Sequence, residues 1–172
     1  MGFQPYQIIT HMFMHGEVAK GGIFHIMFNM FALLSFGTIL ERVWGPQRFL
    51  LFYLTTGFGS VVLYMAVQML LIYNATGTVD PSIAQLNEAG VATIETYVTR
   101  AVGASGAIFG LLTAFAMLFP NMELLLMFIP VPIKAKYFVP VYIVIELYLG
   151  VAQYGGDNVA HFAHLGGALF AF

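Results

Sequence analysis

Long apolar stretches separated by short polar connections dominate the chain. A membrane-spanning helix needs about 20 largely apolar residues, and the stretches that meet or approach this length are residues 23–40, 49–73, 102–119, 137–153 and 159–172. The sequence has no internal repeat and no attached polar domain. We therefore expect an all-α, polytopic membrane protein, a bundle of about five spans that forms one domain over residues 1–172.

The connections contain the expected helix breakers. Residues 41–47 read ERVWGPQ, where Trp44 is typical of a membrane interface and Gly45 and Pro46 predict that one helix ends and another begins. Between the third and fourth stretches, the apolar run 122–129 is too short to cross a membrane. We expect this run to lie at the interface.

The basic residues predict an orientation. Four lie on one side of the predicted membrane and two on the other: Arg42, Arg48, Lys134 and Lys136 against Lys20 and Arg100. Cytoplasmic loops carry the excess of Lys and Arg. The turn at 41–47 is therefore expected in the cytoplasm, and the first, third and fifth stretches are expected to run inward from the outside.

Composition narrows the possible functions. Hydrophobic residues make up 60% of the chain and charged residues 8%, against about 25% charged in soluble domains, so the lipid bilayer is the expected environment. The formal net charge of -2 offers no basic field for nucleic acid. The absence of Cys excludes disulfides and thiol nucleophiles within this sequence. Nothing in it calls for a cofactor.

Polar residues gather where the inward-running stretches begin. They are His25 and Asn29 on the first stretch, Ser105 on the third, and His161 and His164 on the fifth. Ionisable groups inside a membrane are costly and usually face the protein interior or a water-filled cavity. We expect one shared cavity near the outer face.

Two sets of residues share the spacing i, i+3, i+7: Gly103, Gly106 and Gly110 on the third stretch, and His164, Gly167 and Ala171 on the fifth. Small residues at this spacing let helices approach closely. The predicted contact carries Ser105 and His164 into hydrogen-bond reach, as a nucleophile and its base require. Phe109, one turn beyond Ser105, is expected to pack on the imidazole.

These residues predict acyl transfer. No carboxylate lies obviously behind His164 in the sequence, so the pattern favours a Ser-His dyad over a triad. His25 and Asn29 share a helical face and are candidate oxyanion donors, together with the backbone N–H of Ser105. Because His164 lies several residues into its stretch, we expect the third helix to begin below the membrane surface.

Simpler interpretations remain open at this stage. The Gly-x-Ser-Gly segment could be only a packing face, and His25 with Asn29 could be an interhelical hydrogen-bond clamp. His161 competes with His164 as base, and a metal site of His25, His161 and His164 is conceivable. Glu146, in the middle of the fourth stretch, is most simply a protonated or hydrogen-bonded structural residue.

Several motifs occur together in one order: HIMFN at 25–29, ERVWG at 41–45, GASG at 103–106 and AHLGG at 163–167. In this order and on these stretches, the chain resembles the rhomboid intramembrane serine proteases from residue 5 to residue 172. The resemblance implies a Ser105–His164 dyad with an oxyanion hole of His25, Asn29 and the Ser105 amide. It also implies substrates that are single-span membrane proteins, cut near small residues in helix-destabilised segments.

The resemblance carries further expectations. Members of the family have a six-helix core, so we expect a fragment that lacks the first helix and the inner half of the last. We also expect the plasma (inner) membrane of a bacterium, with the active site opening on the extracytoplasmic side. The alternatives are a non-catalytic rhomboid-like protein that binds membrane clients and, less in keeping with the lack of repeats, a small-solute transporter or channel.

Overall fold

The computed structural model describes Tyr6 and residues 10–13, 22–78, 104–126, 129–152 and 161–172. In chain order these form a 3₁₀ turn at His11–Phe13, α1 at Gly22–Ala32, a π-helical turn at Leu33–Gly37, α2 at Thr38–Trp44, α3 at Pro46–Thr76, α4 at Ser105–Leu118, β1 at Glu123–Leu126, β2 at Ile129–Lys134, α5 at Ala135–Ala152 and α6 at His161–Leu169. The predicted polytopic helical architecture is confirmed.

The first long helix, which consists of α1, the π-helical turn and α2, ends at a sharp break before α3. The π-helical turn joins α1 to α2 without interrupting the helix. Gly45 then adopts φ 80° and ψ 160°, a backbone conformation that favours glycine. Pro46 opens α3 at a position where its missing N–H has no helical partner to lose. The predicted helix break at Gly45 and Pro46 is confirmed.

Within the described part of the chain, three helical segments are long and apolar enough to cross a membrane: Ile23–Trp44, Pro46–Leu70 and Ala135–Ala152. Their outer faces expose large apolar side chains, including Leu34, Leu51 and Val144. In water such faces would be unfavourable, whereas lipid tails match them. The exposed faces therefore form the lipid-facing surface of the bundle.

Helix α4 lies at the centre of the fold. It has 14 residues, and its side chains are buried from Gly106 to Ala116. At about 1.5 Å per residue it is about 21 Å long, less than the hydrocarbon core of about 30 Å. The expectation that this helix begins below the membrane surface stays a prediction. Val102 and Gly103, which the prediction placed at its start, lie outside the described residues.

The connection between α4 and α5 is not helical, because its apolar run folds into an antiparallel β-hairpin. Glu123 pairs with Lys134 and Leu124 with Ile133. The hairpin is tied to the adjoining helices, since the N–H of Ala135 donates to the carbonyl of Met122 at 2.9 Å. Strand β2 contains Pro130 and Pro132, which lack the N–H that a helix interior uses. A two-stranded edge tolerates them.

The apolar core occupies the end of α4 that meets this hairpin. Its buried members are Leu40, Leu111, Leu112, Ala114, Phe115, Ala116, Leu124, Ala135 and Val139. Phe115 meets the ring of Phe36 edge-on, with centroids 5.0 Å apart. Ser105 lies at the opposite end of α4, away from this core.

Candidate active site

Helices α4 and α6 approach so closely that their backbones touch. A Cβ added to Gly167 would overlap the carbonyl of Gly106, and one added to Gly110 would lie 2.9 Å from the carbonyl oxygen of Gly167. Only glycine allows this approach. The predicted packing of the two small-residue stripes is confirmed for these three glycines. Gly103 lies outside the described residues, and Ala171 follows the end of α6.

A third helix completes this packing, and the sequence reasoning missed it. Helix α3 presents Thr56, Gly59 and Ser60 to the other two: a Cβ on Gly166 would lie 2.7 Å from the carbonyl oxygen of Gly59, and one on Gly106 would overlap the Ser60 hydroxyl. The run of small residues TTGFGS at 55–60 was the signal that could have identified it. Both helices that carry the site are thus held against α3.

Ser105 and His164 lie beside this glycine contact. Ser105 is the first residue of α4 and is half-buried, while His164 is buried on α6. A Cβ on Gly106 would lie 3.0 Å from the carbonyl oxygen of Ala163, and Ser105 and His164 are their chain neighbours. Both line a cavity of about 580 Å³. The hydrogen bond between them stays a prediction.

The imidazole of His164 is held on one face by an aromatic ring. Phe109 stacks on it with ring centroids 5.4 Å apart and planes within 6° of parallel. Phe109 in turn contacts Tyr142 of α5, with centroids 5.0 Å apart. The predicted packing of Phe109 on the imidazole is confirmed. This stack restricts rotation of the His164 ring.

A carboxylate does lie behind His164, and the expectation that none would was wrong. Glu146 Oε2 is 3.0 Å from His164 Nδ1 and 2.7 Å from His161 Nδ1. All three side chains are buried, with Glu146 only 4% exposed. The position of Glu146 along α5 does not show what it meets on α6, because the level at which two helices cross depends on their packing. The signal was a lone intramembrane acid in a chain with two histidines three residues apart.

The two competing histidines have different surroundings. The Nδ1 atoms of both histidines face Glu146. Among the described residues, only His164 both stacks on Phe109 and lines the cavity with Ser105. This geometry favours His164 over His161 as the base. It also shows a contact of His161 that the sequence did not suggest, because its Nδ1 atom lies against the same carboxylate oxygen as that of His164.

Asn29 lies at the cavity and contains a buried amide nitrogen that has no hydrogen-bond partner among the described residues. Its side chain is 5% exposed. A buried amide N–H without a partner is costly, so such groups call for an explanation. His25 lies one turn earlier on α1 and is half-buried. The structure thus places Asn29 at the same cavity as Ser105 and His164, and its role as an oxyanion donor stays a prediction.

The comparisons with known proteins agree on one family. The profile of the Rhomboid domain matches residues 2–172. The chain is 31% identical over 167 residues to RHOMBOID-like protein 12, mitochondrial, of Arabidopsis thaliana, which covers 96% of this chain and 44% of the relative. It is 34% identical over 152 residues to the rhomboid protease GluP of Bacillus subtilis, covering 87% of this chain and 23% of the relative. No solved structure is significantly similar.

These relatives support the assignment of this chain to a family and do not by themselves assign its activity or location. The chain spans less than half the length of the curated relatives named above. Relatives named as mitochondrial include Rhomboid protein 1 of Saccharomyces cerevisiae. It is 31% identical to this chain over 125 residues, which cover 73% of this chain and 28% of the relative. The expected bacterial plasma membrane is therefore not supported. On its full-length profile match, its membrane-spanning helices and these relatives, the chain belongs to the rhomboid family of integral membrane proteins.

Proposed function

We propose that this protein is an intramembrane serine endopeptidase in which Ser105 is the nucleophile and His164 the general base. The observation that carries the proposal is a single cavity lined by Ser105, His164 and Asn29. The Asn29 amide has no hydrogen-bond partner within the described part of the chain. A nucleophile, a base and an oxyanion donor around one space are the groups that acyl transfer requires.

In the proposed reaction, the Ser105 hydroxyl oxygen attacks the scissile carbonyl carbon while its proton passes to His164 Nε2. The tetrahedral intermediate then collapses, the C–N bond breaks, and His164 returns the proton to the leaving amine. Water attacks the resulting acyl-enzyme with His164 again as the base. This second step releases the carboxylic acid product and restores the Ser105 hydroxyl.

Three groups are proposed to stabilise the oxyanion. The side-chain N–H of Asn29 is the first, because it is buried at the cavity without a partner among the described residues. The backbone N–H of Ser105 is the second. The N–H of Ile108 donates to the carbonyl of Ala104 at 2.9 Å, so Ser105 lies in the first turn of α4. The N–H groups of a first turn lack helical partners. His25, one turn before Asn29, is the third.

The walls of the cavity support a substrate that arrives from the bilayer. Phe28 and Phe36 of the first long helix line one side, and Phe138 and Tyr142 of α5 line the other. An apolar segment would find matching surfaces between them. We infer that the substrates are single-span membrane proteins, cut near small residues where the helix is weak, because an intact helix keeps its carbonyls in internal hydrogen bonds.

The orientation of the site in the membrane is also a proposal. Arg42, Arg48, Lys134 and Lys136 all lie at helix or strand ends on the hairpin side of the fold. Ser105 and His161 begin their helices at the opposite end. Because basic residues mark the cytoplasmic side, or its equivalent in an organelle, the cavity is proposed to open on the other side.

The decisive test is cleavage of a single-span substrate by the full-length protein in liposomes. Ser105→Ala and His164→Ala are each expected to abolish turnover, because the nucleophile and base act as a unit. Thr55→Val is the matched control: it removes an exposed hydroxyl on α3, bonded to the carbonyl of Leu51 at 2.9 Å, and should cleave normally.

A serine-directed fluorophosphonate gives a second readout of the same proposal. It should label the wild type and fail to label Ser105→Ala. Cleavage retained by either dyad variant would refute the assignment of that residue. A wild-type protein that neither cleaves nor labels, but still binds membrane clients, would identify a non-catalytic rhomboid-like protein.

A further inference from the structure

The proposed reaction leaves Glu146 and His161 unused, although both belong to a buried cluster with His164. One carboxylate oxygen, Glu146 Oε2, meets the Nδ1 atoms of both histidines at 2.7 and 3.0 Å. The cluster is nearly closed to the surroundings, since each histidine is 8% exposed and Glu146 is 4% exposed. A carboxylate so deeply buried in a membrane protein must be paired, and it is usually tied to function.

The contact made by Nδ1 determines which nitrogen of His164 can act as a base. An ionised carboxylate only accepts hydrogen bonds, so an Nδ1 that faces it carries the proton. A neutral imidazole with its proton on Nδ1 has an unprotonated Nε2. Nε2 is the nitrogen that the proposed reaction needs in the cavity. The opposite tautomer would present an N–H to Ser105 and could not take its proton.

The carboxylate is positioned by the packing of α5 on α6 and by His161. Gly150 lies one turn after Glu146, and a Cβ added there would come within 3.3 Å of His161 Cβ, so the absence of a side chain at Gly150 lets the helices approach. Phe109 fixes the face of the His164 ring. The imidazole is therefore constrained by stacking on its face and by a hydrogen bond at its Nδ1 edge.

We propose that Glu146 is a positioning residue, whose carboxylate, anchored by His161, holds His164 as the Nδ1–H tautomer with Nε2 free to accept the Ser105 proton. The proposal rests on the function proposed above. In the transition state the same carboxylate faces the imidazolium that forms on His164 and stabilises its charge. Glu146 itself takes up no proton in this scheme and does not contact the substrate.

Kinetics of the full-length protein in liposomes test this role. Glu146→Gln keeps the size of the side chain and removes its charge, and we expect kcat to fall by about 10²-fold or more with KM changed little, as for a carboxylate behind a catalytic histidine. Glu146→Asp restores the charge at a shorter reach and should recover part of kcat. Tyr148→Phe, an exposed position on α5, is the matched control and should retain wild-type kcat. An unchanged kcat in Glu146→Gln would overturn the proposal.

A second measurement requires neither activity nor a Glu146 variant. In protein labelled with ¹⁵N-histidine and carrying Ser105→Ala, the ¹⁵N chemical shifts of His164, assigned by their loss in His164→Ala, report its tautomer. We expect Nδ1 protonated and Nε2 unprotonated at neutral pH. An Nε2–H tautomer or a doubly protonated ring would overturn the proposal even if every Glu146 variant failed to fold. Failure of the proposed function is a separate result, since it would show as no labelling or cleavage by the wild type.

Discussion

At the level of single residues, the candidate site contains buried polar atoms, and each of these needs a hydrogen-bond partner or another explanation. The amide of Asn29 is such a group, since its Nδ2 is buried and has no hydrogen-bond partner within the described ranges. Glu146 differs, because two histidines satisfy one of its oxygens. An unsatisfied donor in a low-dielectric site stabilises a developing negative charge more strongly than it would in water. For this reason the proposed reaction gives the Asn29 amide the substrate oxyanion as its partner.

This assignment predicts the behaviour of Asn29→Ala. Removing one oxyanion donor typically costs about 10²- to 10³-fold in kcat, and we expect the low end of this range because the Ser105 amide and His25 remain. KM should change little, since the bond forms only in the transition state. The measurement is steady-state cleavage in liposomes.

The control for this variant lies on the same long helix. Thr38→Val removes an exposed hydroxyl that donates to the carbonyl of Leu34 and should leave kcat unchanged. A loss of kcat in Asn29→Ala equal to that in Ser105→Ala, or no loss at all, would contradict a supporting oxyanion role for Asn29.

At the level of elements, three helices bring the site together. The contacts of α4 with α6 and of both with α3 are made through glycine, serine and threonine. In a bilayer the helices gain no hydrophobic driving force from burying apolar surface against one another, so close van der Waals packing carries the association. Ser105 and His164 lie beside the closest of these contacts. Their separation thus depends on residues that take no part in the chemistry.

Gly167→Ala is predicted to damage the fold and the activity together. The added Cβ would overlap the carbonyl of Gly106, and backbone cannot yield as a side-chain end can. We expect a loss of about 1–3 kcal/mol from overpacking and a kcat reduced by separation of α4 from α6. Thermal unfolding in detergent and the cleavage assay measure the two effects.

Gly37→Ala provides the comparison for that change. There the new Cβ would meet the Cδ1 atom of Leu33 at 3.2 Å and the Cζ atom of Phe49 at 3.3 Å, both at the ends of flexible side chains. The unfolding temperature and kcat should stay close to wild type. Equal stability of Gly37→Ala and Gly167→Ala would contradict the role given to the glycine contact.

At the level of the whole molecule, the two ends of the bundle have different chemistry. The hairpin end carries the apolar core and the four basic residues that the structure describes, and the other end carries Ser105 and the histidine cluster. Lipid-facing apolar side chains lie between them on the outer helices. Such an arrangement predicts a fixed orientation across the membrane, with the cavity opening away from the basic end.

Single cysteines can test this orientation, because the chain contains no Cys of its own. The two variants are Asn121→Cys and Thr78→Cys. Asn121 lies in the exposed turn at the hairpin end, and Thr78 follows α3 at the other end. In sealed vesicles, a membrane-impermeant maleimide should label one of the two and reach the other only after permeabilisation. Labelling of both before permeabilisation, with intact vesicles verified, would contradict the proposed topology.

Much of this architecture follows from the sequence because the bilayer imposes simple rules. A span needs a certain length of apolar chain, and its backbone must bond internally, so helices can be read from hydropathy and breaks from Gly45 and Pro46. Periodicity along a helix is equally local, which is why the contact of Gly106 and Gly110 with Gly167, and the placement of Phe109 on His164, were predicted correctly. Each of these inferences requires a matching spacing of small residues on the two helices that touch.

The tertiary structure decided what depends on the relative depth and rotation of separate helices. It placed Glu146 against His161 and His164, brought α3 behind the site, and folded the apolar run after α4 into a hairpin. Residue spacing gives position along one helix and carries no information on where a second helix crosses it. The sequence therefore determined which residues could form a nucleophile and its base, while packing decided which carboxylate lies behind that base.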